Sequence, residues 1–327
     1  MENKPVISVV VRAYNQEQAI VKALYSIVSQ KVDFPVQIVI GIDTSTDNTL
    51  QVVKSFCETL PAYFKADIIY HTERVKRGRN LYDALMRCEG LYIAWLDGDD
   101  YWCDSEKLMK QKQILDTQEE VGLVYTDNYL LYPDSDVLEK KYRLDPIPLL
   151  FSQLLNGNFI TSGSVLFRRK LLEYVDFDFF FKRGYIADDY YMWLEFSNHT
   201  KFVHLKFFSI VYCVNRPMTK EYLLRSLQYD KQCTDMRIEY VKKYSSHTDI
   251  TPTRLQDRFY EYQMKMGLNL EDKKLVTEAA KLHSTPQNFK QRCLYRMLTF
   301  PLGYEIYQLS RRIRGMKRTN RQIYLNA

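Results

Sequence analysis

The sequence predicts an α/β protein: a Rossmann-like domain on a mostly parallel sheet, followed by a smaller helical region. Three observations carry the prediction. Short β-branched runs alternate with segments of helical periodicity over residues 6–129. Beyond about residue 216 the periodicity is helical only. The 327 residues are enough for one large α/β domain and a smaller second unit. Strands that alternate with helices lie parallel, with helices on both faces of the sheet.

Residues 6–13 are a near-continuous β-branched run, as expected of a strand buried on both faces. Residues 18–29 then place Ile20, Val21, Leu24, Ile27 and Val28 on one helical stripe. A second buried strand is predicted over residues 36–42. Thr46, Asp47 and Asn48 offer caps for a helix through Val52, Val53 and Phe56. A strand over 66–70, a helix over 80–88, a strand over 91–96, a helix over 105–118 and a fifth strand over 122–129 complete the alternation. From 147 to 214 the pattern is less regular, with strands expected over 164–168 and 203–214 and a helix over 190–196. Pro217 breaks it. Helices are expected over 222–244, 254–266, 272–283 and 288–314. The expected domains are residues 1–216 and a helical region over 217–327.

Composition narrows the setting. The chain nets +6, yet from residue 288 onward nine basic residues (Lys290, Arg292, Arg296, Arg311, Arg312, Arg314, Lys317, Arg318 and Arg321) face one acid, Glu305. The rest of the chain is therefore slightly acidic. Apolar residues such as Leu294, Leu298, Ile306 and Leu309 interleave with these cations, a pattern that suits either an anionic membrane surface or a packing helix with a solvated face. No nucleic-acid module accompanies the charge, so nucleic acid is not an expected partner. Six cysteines form no Cys-x-x-Cys pair. The apolar run at residues 6–11 is too short for a signal peptide and ends at Arg12, and no stretch approaches a membrane span. The expected location is the cytoplasm, with peripheral membrane contact through the tail. Tyrosine is abundant, at 26 residues, and suits sugar and nucleobase contacts.

In a parallel sheet, ligands bind outside the carboxyl ends of the strands. The residues there are Tyr14-Asn15-Gln16-Glu17, Asp43-Thr44-Ser45 and Asp97-Gly98-Asp99-Asp100, all polar or acidic. Three carboxylates within four residues repel one another unless a cation neutralises them. Magnesium or manganese prefers such oxygen ligands, completed by substrate phosphates, whereas a solvated acidic turn is the plainer alternative. Gly98 is expected to provide a sharp turn. Asp43 could accept a hydrogen bond from a base N–H, because Asp47 or Thr46 is better placed to cap the next helix. Lys76, Arg77 and Arg79, around Gly78 and just before the predicted helix, could neutralise a diphosphate. Asp188 and Asp189 precede the aromatic run Tyr190-Tyr191-Met192-Trp193. They suit either the dipole at a helix start or a general base.

Taken together, these residues resemble the family 2 glycosyltransferases with the GT-A fold. The resemblance runs from about Pro5 to Arg216. VISVVVRAYNQEQAIVKALYSIVSQ is similar to the family's opening strand, turn and helix, and VIGIDTSTDNT to its second-strand signature, with Asp43 as the second acid and Ile42 in place of the first. LYIAWLDGDDYWCDSEKL resembles the metal-motif strand. ADDYYMWL resembles an acidic pair before an aromatic helix, with Asp188 in place of a glutamate. The resemblance implies an inverting, metal-dependent transferase using a nucleotide-diphosphate sugar, a UDP-sugar being favoured, and a saccharide or lipid-linked acceptor. It implies that Tyr14, Asn15, Glu17 and Asp43 hold the nucleoside, and that Asn80, Asp97 and Gly98 contact the donor. Asp99 would hold Mn2+ or Mg2+, and Asp189 would act as general base. Arg79, Asp100, Asp188 and Trp193 are the supporting residues.

Two other readings are open. A nucleotidyltransferase shares strand-end acids but usually needs a glycine-rich basic loop after the first strand, where this chain has Tyr14-Asn15-Gln16-Glu17. A non-catalytic nucleotide- or sugar-binding module often lacks the acids kept here at Asp97, Asp99 and Asp189.

Overall fold

The computed structural model of the chain describes residues 4–133, 135–214, 219–284, 289–300 and 302–310. Pro217 and the tail cations Arg311, Arg312, Arg314, Lys317, Arg318 and Arg321 lie outside the described residues, as does the far end of the helix expected over 288–314. The chain divides into two compact units, Met1–Asn215 and Arg216–Ala327.

The first unit runs β1 (Ile7–Ala13), α1 (Ile20–Val28), β2 (Val36–Ile42), α2 (Thr49–Cys57), β3 (Phe64–Tyr70), α3 (Lys76–Met86), β4 (Tyr92–Asp97), β5 (Tyr101–Trp102), α4 (Lys107–Thr117), β6 (Val121–Tyr132), β7 (Val137–Lys141), α5 (Leu150–Leu155), β8 (Leu166–Arg168), α6 (Phe177–Arg183), α7 (Asp188–Phe196) and β9 (Lys201–Cys213). Strand order is β3-β2-β1-β4-β8-β6-β9-β5, with β7 paired to β6 off this path. From β3 to β4 the sheet is parallel, as expected. Beyond β4 it is mixed: β8 runs antiparallel to both β4 and β6, while β6 and β9 pair in parallel. Every residue of β1 and β2 is buried, which explains their unbroken β-branched runs. Ile7, Val9 and Val11 pack with Ile20, Leu24, Ile27, Ile38, Ile40 and Leu96 in the main core.

Two features of the sheet shape the site. The carboxyl ends of β1, β2 and β4 come level, because Arg12 pairs in register with Gly41 and with Asp97. On β6 the pairing with β9 slips at Asp127, once on each side of it. Such bulges re-aim a side chain at the rim of a sheet.

The second unit holds α8 (Lys220–Lys243), α9 (Pro252–Asn269), α10 (Lys273–Leu282) and α11 (Phe289–Thr299). The starts of α8, α9 and α10 carry side-chain caps from Thr219, Thr251 and Asp272, and Pro252 follows its cap directly. Met264, Val276, Ala279, Tyr295 and Leu298 form its own core. Among the described residues no helix is long and apolar enough to cross a membrane, and all six cysteines are free.

Candidate active site

The centre of the strand-end rim is Arg12, which lies within the opening-strand motif but was given no role there. Arg12 lies on β1 and is only 6 % exposed. Its Nε donates to Asp97 Oδ1 at 2.8 Å and its Nη2 to Asp97 Oδ2 at 2.9 Å, a two-pronged pair. Its Nη1 donates to Asp188 Oδ2 at 2.6 Å. The guanidinium also lies 4.5 Å from the Trp95 ring centre. One buried cation thus joins the end of β4 to the start of α7. Its signal in the sequence is a single charged residue within a run of valines.

Asp97 receives a further hydrogen bond from Trp95 Nε1 at 3.1 Å. Burial alone would raise its carboxyl, but the charges of Arg12 and Arg77 and the bonds from Arg12 and Trp95 hold it below the ordinary value. Arg77 reaches the same acids more loosely, 3.8 Å from Asp97 and 3.6 Å from Asp188, with a side chain 60 % exposed. Asp188 holds Arg77 in its charged form, with Asp97 and Asp189 adding to the effect.

Asp189 follows in the first turn of α7. Its Oδ1 accepts from Tyr190 N at 2.7 Å, and its Oδ2 accepts from Asn158 Nδ2 at 3.1 Å. Burial, then the charge of Asp188, pushes its carboxyl up to about 6. A carboxylate tuned toward neutrality and placed beside an ion-pair network suits proton transfer near pH 7. Asn158 is a second residue that sequence reasoning missed, since it sits in an irregular stretch with no motif.

The acids of the Asp97–Asp100 loop divide by environment. Asp100 is buried and accepts from Cys213 N at 2.8 Å, which pins the loop to β9. Burial and its acidic neighbours raise its carboxyl well above the ordinary range. Asp99 is exposed, and among the described residues its side chain makes no hydrogen bond or ion pair to another residue. Burial of its surroundings and the charge of Asp97 raise its carboxyl. An uncommitted carboxylate disfavoured by a neighbouring acid fits a hard divalent cation. Among the described residues no three His, Cys, Asp or Glu converge as metal ligands, so such a cation would draw its remaining ligands from donor phosphates and water.

Several of the expected site residues make contacts within the protein. Asp43 is buried, and its oxygens accept from the backbone N–H of Thr44, Val75 and Lys76 at 2.9–3.0 Å, with Arg74 ion-paired to it at 3.0 Å. It therefore caps the turn that opens α3, a turn in which Lys76 takes a positive φ of 66°. Asn15, itself at a φ of 51°, accepts from Thr46 N, and Glu17 accepts from Asn48 N. These side chains lace the loop after β1 onto the loop after β2 and so shape the site from behind. Asn80 is buried and donates to Gly41 O at 2.9 Å. Arg79 forks onto Asp83 along α3, away from the acids, so that Arg77 is the member of the basic trio facing the site. Trp193 is fully buried, packed 6.4 Å from Trp95, and belongs to the core. Gly98 makes no left-handed turn; a Cβ there would stand 2.4 Å from Gln16 Oε1 and 3.0 Å from Arg12 O. Gly78 lies within α3, where its missing side chain leaves room for Phe180. Tyr14 remains exposed, with the Arg74 guanidinium 3.4 Å from its ring centre.

This sheet, with its strand-end acids and helical extension, has the GT-A glycosyltransferase fold. The S. aureus TarS fragment 1–349, solved in complex with UDP-GlcNAc, superposes with a TM-score of 0.58 over 92% of this chain and 88% of that one, at 16% identity. Residues 8–175 match Glycosyl transferase family 2, and the chain belongs to that family. An uncharacterized protein of Mycobacterium tuberculosis (strain H37Rv) is 34% identical over 167 residues, which are 50% of this chain and 47% of that protein. The Escherichia coli enzyme WfaP, a UDP-Glc:α-D-GlcNAc-diphosphoundecaprenol β-1,3-glucosyltransferase, is 26% identical over 189 residues, or 58% of this chain and 69% of that one. The chain thus spans about half the length of the mycobacterial relative.

Proposed function

We propose that this chain is an inverting glycosyltransferase. It moves a sugar from a nucleotide-diphosphate sugar to a hydroxyl of a saccharide or lipid-linked acceptor, in the assembly of a surface polysaccharide or glycan. The observation that carries the reading is Asp189: a carboxylate raised to about 6, held by Asn158, and tied through Asp188 and Arg12 to the strand-end loop of Asp97 and Asp99. A UDP-sugar is favoured because the E. coli relative is named for a UDP-Glc donor and the S. aureus structure holds UDP-GlcNAc.

In this mechanism Tyr14 offers an exposed ring for the nucleoside. Arg77, loosely paired and mostly exposed, turns toward the donor diphosphate. Asp99 would hold Mn2+ or Mg2+, which would supply neutralisation of charge on the leaving diphosphate. Asp97, fixed on both oxygens by Arg12, presents a rigid edge to the donor sugar. Asp189 takes the proton of the acceptor hydroxyl at Oδ2 as that oxygen attacks the anomeric carbon from the face opposite the diphosphate. The configuration at that carbon therefore inverts. Asn158 orients the carboxylate throughout.

The test is a panel of nucleotide sugars supplied with manganese and hydroxyl acceptors. Release of UDP or GDP above spontaneous hydrolysis supports the reading, and no release from any donor contradicts it. The basic C-terminal segment is read as a dock for an anionic membrane on the cytoplasmic side. Truncation after Pro286 should weaken binding to anionic vesicles, and equal binding by both forms would contradict this.

A further inference from the structure

We infer that Arg143 forms an acceptor-side anion site, which takes a phosphoryl or carboxylate group carried by the acceptor close to its reacting hydroxyl. The inference rests on the reading of Asp189 as the acceptor's base.

Arg143 follows β7, and its backbone N–H donates to Asp127 Oδ1 at 2.6 Å, beside the bulge on β6. Its Nη2 donates to Thr161 Oγ1, and Thr161 donates in turn to Asn128 Oδ1 at 3.1 Å. Thr161 lies three residues beyond Asn158, the residue that holds Asp189. Three residues span at most about 10 Å of chain. Arg143 and the base are therefore held at the two ends of one short segment.

The chemistry of Arg143 differs from that of Arg12. Arg12 has all its charge met by two carboxylates. Arg143 has no ion pair among the described residues, and its Nε is buried without a hydrogen-bond partner. Asp127, whose charge acts on it most strongly, already accepts from the Arg143 backbone and lies 3.0 Å from His204 Nε2. His204 also lies 2.8 Å from Asp145, which pairs with Lys206, and among the described residues none of these carboxylates is within ion-pair distance of the Arg143 guanidinium. Burial pulls the Arg143 guanidinium down to about 10, a sign of a cation whose surroundings do not repay its desolvation. An anion donated by a ligand would complete it. A guanidinium fork matches the paired oxygens of a phosphate or a carboxylate.

The test loads the full chain with UDP and manganese, so that the donor-phosphate site is filled, and then titrates glucose 1-phosphate, glucuronate and uncharged methyl glucoside by calorimetry. The wild type should bind one of the two anions in preference to methyl glucoside, and the preferred anion identifies the acceptor group as phosphoryl or carboxylate. Arg143→Gln should weaken that binding about tenfold or more, the loss of one charge-assisted hydrogen bond, with UDP affinity unchanged. Arg143→Lys, which keeps the charge and loses the fork, should fall between. It carries the comparison if Arg143→Gln does not fold. Equal anion binding by wild type and variant, or no preference of the wild type for either anion, overturns the site. If UDP itself does not bind, the transferase reading fails. The anion titration without nucleotide then still supports or overturns the Arg143 site through the same variants.

Discussion

Arg12 and Asp188 stand 176 positions apart in the chain, and their side chains meet at 2.6 Å. This pair joins the first strand of the sheet to the helix that carries the proposed base. Both partners are nearly excluded from solvent, so removing one leaves the other charged and buried. Arg12→Met keeps the apolar stem and deletes the charge. It should cost about 3–5 kcal/mol of stability in urea unfolding, because Asp97 and Asp188 both lose their cation. A loss under about 1 kcal/mol would show that the bridge contributes little.

Asp189 sets the expected pH dependence. A general base works only when ionised, so kcat/KM should fall below an apparent pKa near 6, where burial and the charge of Asp188 have moved this carboxyl. Asp189→Asn should lower kcat by about 10²–10⁴ fold. A flat profile down to pH 4.5 would contradict the assignment.

The same carboxyl makes a stability prediction of known sign. Its folded value lies above the ordinary 3.8, so ionising it disfavours the folded state above about pH 6 and has no such effect below about pH 4. Asp189→Asn should therefore melt higher than wild type at pH 8, and that difference should shrink as pH falls through the window from 6 to 4. A variant that melts lower at pH 8 would place Asp189 among the residues holding the fold.

Gly98 tests the packing behind the acidic loop. A methyl group there would press on Gln16 Oε1, Ile20 Cδ1 and the Arg12 carbonyl at 2.4, 2.7 and 3.0 Å. Gly98→Ala should destabilise by about 1–3 kcal/mol, as overpacking does. An unchanged denaturation midpoint would mean that the loop moves aside freely.

The parallel half of the sheet was legible because burial on both faces leaves β-branched runs, and residues 36–42 matched β2 end to end. The strand expected over 164–168 is β8, but its antiparallel direction was not legible, since three residues carry too little periodicity to give direction. The acids were legible as strand-end residues, but their partners were not. Asp43 read as spare because its capping targets, Val75 and Lys76, come from a distant turn. Arg12 and Asn158 became visible only when the fold brought them against acids 85 to 176 and 31 positions away. Asn80 and Trp193 sat near motif residues in sequence, yet helical geometry turns both into the interior. Such choices between ligand and scaffold depend on long-range pairing, which local pattern does not encode.

Asp99 is the counterpart of Arg12: exposed and uncommitted, it should matter to chemistry and not to folding. The most direct test of the account is acceptor-dependent nucleotide release with manganese, measured for wild type, Asp99→Ala and Asp189→Asn, with melting curves of each. Both variants should melt at or above the wild-type temperature near neutral pH, and each should lose about a hundredfold or more in kcat. Release at the wild-type rate by either well-folded variant would contradict it.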